Sequence, residues 1–174
     1  MKTLRKLALV ALLAGLVGCA GRGEPLEPVS NVDLERFMGD WYVIAHIPTF
    51  IEDEAYNAIE SYELDGDRIE TTFTFRNKGF NGEEKRYEPN AVVRDEETNA
   101  VWGMQFIWPF RSDFRIVYLD EDYATTIIGR NARDYVWIMA REPEVSDEKY
   151  DELVEQVDEM GYDVSQLRKV PQRW

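Results

Sequence analysis

The sequence predicts an all-β fold: an eight-stranded antiparallel up-and-down barrel, followed by a C-terminal α-helix and a short final strand. Three observations support this prediction. Apolar and polar residues alternate from residue 39 onward, which is the period of half-buried strands. Turn residues recur between the alternating runs, at the spacing typical of barrels and sandwiches. The alternation gives way to a helical period only near residue 146.

The predicted strands are short and follow one another closely. They span residues 39–47, 57–65, 68–76, 85–94, 100–107, 113–120, 123–130 and 134–141. The connections carry turn residues, as in DGD at 65–67, NKGFNG at 77–82, DEETN at 95–99 and RNARD at 130–134. Short links favour an antiparallel meander. Closing eight such strands leaves room for side chains or one small ligand and removes the exposed sheet edges.

Residues 146–160 are predicted to form an amphipathic helix. One helical face carries Tyr150, Leu153, Val154, Val157 and Met160. Ser146 suits the N-cap position, and Gly161 follows the last turn. We expect this helix to pack on the outer wall of the barrel and residues 164–170 to add an edge strand.

The first eighteen residues have the pattern of a secretory signal peptide. Lys2, Arg5 and Lys6 precede an apolar run that is too short to cross a bilayer. The segment LVGC, residues 16–19, resembles the lipobox of bacterial lipoproteins, in which the cysteine is diacylated and becomes the mature N-terminus. We therefore predict that residues 1–18 are a lipoprotein signal peptide and that Cys19 is lipidated. A plain signal peptide with an incidental cysteine is the alternative.

The residues after Cys19 are predicted to form an acylated flexible tether over residues 19–32, ahead of a folded domain over residues 33–174. The tether is rich in Gly, Pro and polar residues. Acyl chains, at about 0.8 kcal/mol per buried methylene, would hold the protein on a membrane. Ala20, where an inner-membrane lipoprotein would have Asp, favours the outer membrane, and we expect the domain on its periplasmic face.

Composition argues against several classes of function. Removing the signal peptide takes away three basic residues and leaves 17 basic and 34 acidic ones, which disfavours nucleic acid as a partner. His46 is the only histidine; we expect it on the barrel rim rather than in a metal site. Acidic pairs cluster in turns and no glycine-flanked nucleophilic serine is present. The sequence therefore predicts no catalytic residues, no metal and no cofactor.

Three short motifs resemble those of the lipocalin family. GDWY at 39–42 resembles its first motif, YLDEDY at 118–123 its second, and Arg141 in WIMAREP its third. The resemblance covers about residues 33–174 and, with the lipobox, points to the bacterial outer-membrane lipoproteins of the apolipoprotein D-like branch. It implies a shared position at the barrel base for Gly39, Trp41, Asp122 and Arg141. Trp41 would close the base under Arg141, with residues 33–38 crossing beneath.

Alternation within the strands indicates which side chains face inward. The predicted ligand-binding residues are Tyr62, Phe73, Phe75, Trp102, Met104, Phe106, Ile116, Tyr118, Tyr135 and Trp137. Phe114 shares the phase of Ile116, and Ala45 continues that of Trp41. Glu60 has the phase of Tyr62. Either it points inward, where burial would favour its protonated form, or it sits near water or a partner.

Taken together, these features predict a membrane-anchored lipid-binding protein. A fatty acid or lysophospholipid would place its tail in the barrel and its headgroup at the mouth, for lipid storage, transport or membrane maintenance. Apolar loop residues beside basic ones at the mouth suit a lipid surface. The alternatives are an assembly lipoprotein with the barrel as scaffold and, less favoured, an enzyme acting on a small hydrophobic substrate. The family includes homodimers, and the sequence does not distinguish monomer from homodimer.

Overall fold

The computed structural model describes residues 24–52 and 54–174, and it shows an antiparallel barrel closed between its first and last long strands. The strands are β1 Gly39–Ile47, β2 Ala55–Asp65, β3 Arg68–Asn77, β4 Glu84–Tyr87, β5 Asn90–Val93, β6 Val101–Ile107, β7 Phe110–Leu119, β8 Thr125–Gly129, β9 Val136–Ala140 and β10 Arg168–Lys169. The strands pair in the order β1, β2, β3, β5, β6, β7, β8, β9; β4 pairs with β3, β10 pairs with β1, and β1 also pairs with β9. The predicted signal peptide and Cys19 lie outside the described residues.

One predicted strand is interrupted. Residues 85–94 form β4 and β5, which both pair with β3 and together complete the eight-stranded barrel. Pro89 lies between them and has no N–H to donate to the sheet. Its carbonyl still accepts a hydrogen bond from the Thr71 N–H at 3.0 Å. The predicted eight-stranded barrel is confirmed, with this break in its fourth strand.

The helical elements flank the barrel. α1, Leu34–Phe37, crosses the closed end, and α2, Asp147–Glu159, lies on the outer wall. The Ser146 side chain accepts a hydrogen bond from Lys149 N–H and caps α2, as predicted. The final strand is shorter than expected, because a 3₁₀ turn over Val164–Gln166 precedes β10. Within the described ranges, no helix is both long and apolar enough to span a membrane.

Two β-bulges change which side chains face inward. One lies in β1 between Val43 and Ala45, and the other in β7 between Ile116 and Tyr118. An extra residue in one strand shifts the alternation by one position for every residue that follows. Ala45 and Tyr118 therefore belong to the outer apolar cluster beneath α2, not to the interior. The prediction that these two residues face inward is wrong.

The segment from residue 24 to residue 32, which we call the N-terminal strap, packs along the barrel. Leu26 and Val32 are only 4% and 1% exposed. Backbone N–H groups of the strap donate to Asn131 Oδ1, the Ile116 carbonyl and the Thr98 carbonyl at 2.8–2.9 Å. The strap thus runs from the 130–133 loop at the open end to the 95–99 turn at the closed end. The tether prediction does not hold for these residues, because their apolar side chains find partners.

Candidate ligand-binding cavity

The closed end of the barrel is built around Trp41. The Arg141 guanidinium carbon lies 3.8 Å from the Trp41 ring centroid. The same guanidinium donates hydrogen bonds to the carbonyls of Arg36, Phe37, Met38 and Asp40 at 2.8–3.0 Å. Trp41 Nε1 also donates to the Phe37 carbonyl at 2.9 Å. Arg141 therefore ties α1 and the start of β1 to the end of β9.

Gly39 is required where it stands. Its φ is +95°, a conformation that side chains with a Cβ rarely adopt, and an added Cβ would meet Arg141 Nη1 at 3.4 Å. A residue with a Cβ would strain the backbone at this φ. Gly39, Trp41 and Arg141 thus lie together, as the motif resemblance implied.

The carboxylate that organises the neighbouring turn is Asp120 rather than Asp122. Asp120 accepts hydrogen bonds from the Ala124 N–H, the Thr125 N–H and the Thr125 hydroxyl at 2.6–3.0 Å. Asp122 lies in the same turn, but its side chain is exposed and makes no hydrogen bond to the residues described. Tyr123 links the turn to α1, because its ring lies 3.9 Å from the Arg36 guanidinium carbon. The structural role that was predicted for Asp122 therefore belongs to Asp120.

Aromatic rings fill the bottom of the interior. This aromatic floor consists of Phe37, Trp41, Tyr62, Trp102 and Phe114. Trp102 stacks on Phe114 with centroids 4.9 Å apart, and Phe37 meets the Trp102 ring edge-on at 5.5 Å. Trp102 is fully buried here, so it supports the space above rather than lining it.

Above the aromatic floor is a cavity of about 290 Å³ that opens between the loops at the open end. Its volume lies near the lower end of ligand pockets, which run from ~300 to 1,000 Å³. Of the predicted ligand-binding residues, those lining it are Phe73, Met104, Phe106, Tyr135 and Trp137. Tyr62, Phe75, Trp102 and Ile116 are buried in the interior cluster without lining the cavity. That any of them contacts a ligand stays a prediction.

Residues of the β1–β2 loop and of strand segments near the open end complete the cavity wall. Thr49, Phe50, Ile51 and Glu52, from the β1–β2 loop, line it, and the opposite side adds Ile107, Phe110, Ser112, Asp113 and Arg130. Sequence alternation could not find the loop residues, because a loop has no strand period. The sequence did place apolar and basic loop residues at the mouth, among them Phe50, Ile51 and Arg130, and these residues do line the cavity.

Glu60 faces the interior and lines the cavity. It is 8% exposed, and its Oε2 accepts a hydrogen bond from the Tyr62 hydroxyl at 2.8 Å. Burial raises the pKa of Glu60 to about 7; the Tyr62 hydrogen bond opposes this rise, and the nearby charge of Glu52 adds to it. The Glu60 side chain thus points inward, which is one of the two positions that the sequence left open. Near neutral pH, its carboxyl group exchanges between the protonated and the ionised form.

Glu52 and His46 form a second buried polar group. Glu52 Oε1 accepts hydrogen bonds from the Thr49 N–H at 3.1 Å and from Trp137 Nε1 at 3.2 Å. Glu52 Oε2 lies 3.7 Å from His46 Nδ1, and this nitrogen has no hydrogen-bond partner in the described part of the chain. His46 is 2% exposed, because the bulge in β1 turns it inward. The prediction of a rim position for His46 is wrong.

The loops around the cavity entrance expose large apolar side chains. Phe50, Ile107, Trp108 and Phe110 are 72–89% exposed. They belong to the β1–β2 connection and to the β6–β7 hairpin, which meet at the open end. The entrance therefore has an apolar rim, beside the partly buried Arg130.

Comparisons with known proteins agree with this architecture. Residues 32–172 match the family model described as a lipocalin-like domain. The chain is 33% identical to temperature-induced lipocalin-1 of Arabidopsis thaliana, covering 84% of this chain and 83% of the relative. It is 30% identical to the outer membrane lipoprotein Blc of Escherichia coli K12, covering 97% and 98%.

A solved structure supports the same fold. Insecticyanin from the tobacco hornworm Manduca sexta matches with a TM-score of 0.66 at 17% identity, covering 83% of both chains. The barrel, the Trp41–Arg141 base and the family match over most of the sequence lead to one conclusion: this chain belongs to the lipocalin family.

Proposed function

We propose that this protein is a lipid-binding lipocalin, anchored to the outer membrane through Cys19, that holds one fatty acid or lysophospholipid in its barrel. The observation that carries the proposal is the cavity of about 290 Å³, whose lining is mainly apolar and which opens to solvent at one end. A barrel that served only as a scaffold would need no such space. Storage, transport or membrane maintenance are the roles that such binding would serve.

An acyl chain suits the lower and middle parts of the cavity. Phe73, Met104 and Phe114 line one side, and burying hydrocarbon gains ~25 cal/mol per Å² before ordering costs are subtracted. Arg130 suits an anionic headgroup at the entrance. Its Nη1 lies 3.4 Å from Asp134, while its buried Nε has no partner among the described residues. A phosphate or carboxylate at the entrance would approach the part of this guanidinium that lines the cavity.

The N-terminal strap bears on how the barrel would meet a membrane. Arg133 donates to the Glu24 carbonyl at 2.8 Å, so the strap begins beside the open end. Cys19 lies five residues before Glu24 in the sequence, and a chain of that length reaches at most ~18 Å. An acylated Cys19 would therefore hold the open end, with its exposed Phe50, Trp108 and Phe110, close to the lipid surface. The relative Blc is named an outer membrane lipoprotein, in keeping with this proposal.

Ligand titration tests the proposal. Delipidated protein is titrated with a fluorescent fatty acid and, separately, with a fluorescent lysophospholipid. We expect saturable binding by at least one of them, with a dissociation constant below about 100 µM, and the absence of binding in that range by both would contradict the proposal. Phe106→Glu, at the cavity wall, should weaken binding. Leu64→Glu is the matched control, because Leu64 is also a partly exposed strand residue but lies away from the cavity.

A further inference from the structure

The deep part of the cavity is not uniformly apolar. Phe73, Met104 and Phe114 line it together with Glu60. In the sheet register Glu60 lies between Trp41 on β1 and Phe73 on β3, one inward position above Tyr62 of the aromatic floor. A ligand that fills the cavity from the open end therefore brings its leading end, the end that enters first, towards a carboxyl group.

Glu60 has unused hydrogen-bonding capacity. Its Oε2 accepts from the Tyr62 hydroxyl, whereas no donor among the residues described reaches the other carboxyl oxygen. Because Glu60 is 8% exposed and lines the cavity, a bound ligand would remove its remaining access to water. A buried polar group that loses water and gains no partner costs free energy. The terminal methyl of an ordinary acyl chain would impose that cost.

The same wall carries more polar groups. Glu52 lines the cavity, and its Oε2 lies 3.7 Å from His46 Nδ1, which is beyond hydrogen-bonding distance. Glu60 belongs to β2 and Glu52 to the β1–β2 loop, and both line the cavity, whereas His46 of β1 lies beside Glu52 without lining it. On the opposite wall Met104 and Phe114 are apolar, although Ser112, Asp113 and Arg130 also line that side. Polar groups thus line both sides of the cavity, and on the β2 side they reach down to Glu60.

A hydroxyl group fits this environment better than the other common ends of a lipid chain. It donates to a carboxylate and accepts from a protonated carboxyl, so it satisfies both states of Glu60. Both states are present near neutral pH, because burial raises the pKa of Glu60 to about 7. A carboxylate end would suit only the protonated state and would also meet the charge of Glu52. A methyl end satisfies neither state.

We propose that the cavity takes a single-chain lipid whose leading end carries a hydroxyl group, and that Glu60 recognises this group. The inference rests on the proposed function, because it presumes that an acyl chain enters the barrel. In this proposal Glu60 determines which lipids bind. The ligand then needs a hydroxyl group at its leading end, which an apolar lining alone would not require.

Two ligands that differ only at the leading end test the proposal. Dodecanoic acid and 12-hydroxydodecanoic acid share chain length and carboxylate, and each is used to displace a fluorescent fatty acid from wild-type protein and from Glu60→Leu. The measured quantity is the ratio of their dissociation constants. We expect the preference for the hydroxy acid to be about tenfold greater in the wild type than in Glu60→Leu, as one hydrogen bond to a buried group would give. An equal ratio in both proteins would overturn the proposal.

A second measurement needs no variant, in case Glu60→Leu fails to fold. In the wild type, dodecanoic acid should bind more weakly as the pH rises through 7, whereas 12-hydroxydodecanoic acid should change less. Both ligands carry the same carboxylate, so its ionisation does not change the ratio of their dissociation constants. Effects of Glu52, His46 and Tyr62 that act equally on both ligands also leave this ratio unchanged. A ratio that is constant from pH 6 to 8.5 would overturn the proposal. Failure of both acids to bind would overturn this proposal, and the separate lysophospholipid titration would then decide whether the proposed function fails as well.

Discussion

The guanidinium carbon of Arg141 lies 3.8 Å above the Trp41 ring, and its nitrogens satisfy four backbone carbonyls at the end of α1 and the start of β1. These carbonyls belong to the chain that crosses the closed end, and three of them follow one another in sequence. Arg141 therefore determines whether α1 stays in place beneath the aromatic floor.

Replacing Arg141 should destabilise the fold. Arg141→Met keeps an apolar stem over Trp41 but removes every donor, so we expect the free energy of unfolding to fall by about 3 kcal/mol. Urea unfolding monitored by tryptophan fluorescence measures the change. Arg86→Met is the control, because Arg86 pairs with Glu88 on the surface at 2.9 Å and exposed pairs contribute little. Equal losses in the two variants would contradict the role given to Arg141.

Glu60 should make stability depend on pH. Its pKa rises from 4.5 in the unfolded chain to about 7 in the fold, so the folded state binds more protons between these values and stability falls as the pH rises. Glu60→Gln removes this titration. Relative to the wild type, the free energy of unfolding of the variant should increase by about 3 kcal/mol as the pH rises from 4.5 to 8.5. Unfolding curves across this range measure it, and a difference that does not change with pH would contradict the assignment.

The N-terminal strap should contribute to stability. Leu26 is 4% exposed and packs with the outer apolar cluster, so Leu26→Ala should lower the free energy of unfolding by about 2 kcal/mol or more. Glu27 is exposed in the same strap, and Glu27→Ala should leave stability almost unchanged. Urea unfolding compares the two variants. Identical curves would indicate a tether that contributes nothing to the fold.

The exposed apolar rim should bind lipid surfaces without help from the anchor. In protein carrying Cys19→Ser, which cannot be acylated, Trp108→Ser combined with Phe110→Ser should reduce partitioning onto phospholipid vesicles at least about tenfold, because two large apolar side chains no longer enter the interface. Vesicle sedimentation measures it. Leu64→Ser, away from the open end, is the control. Partitioning that the rim variants leave unchanged would show that the open end does not face the lipid.

Local patterns predicted the barrel well because its strands alternate with period two. The base was also predictable, since Gly39, Trp41 and Arg141 stand at strand ends that an up-and-down barrel brings together. Asp122 was predicted at the base, because the motif alone does not reveal which carboxylate of the turn meets the free N–H groups. Which carboxylate accepts hydrogen bonds from these N–H groups depends on the conformation of the turn, including the φ of +61° at Tyr123.

The errors inside the barrel have one physical cause. A bulge adds a residue to one strand, and the position of a bulge cannot be predicted from a single sequence. The bulge in β1 turned His46 inward and Ala45 outward, and the bulge in β7 moved Tyr118 to the outer wall. Glu52 was missed for another reason, because it enters the cavity on a loop. Glu60 already had the inward phase in the sequence, whereas the buried positions of Glu52 and His46 emerged only from the folded chain.

The most direct test of the central claim is native mass spectrometry of the full chain extracted from its own membrane. If the cavity above the aromatic floor holds lipid, each chain should carry one additional noncovalent mass of a single-chain lipid, which is released on denaturation. Phe106→Glu should lose that mass, whereas Leu64→Glu should keep it. A wild-type protein whose native mass equals that of the denatured chain would contradict the account.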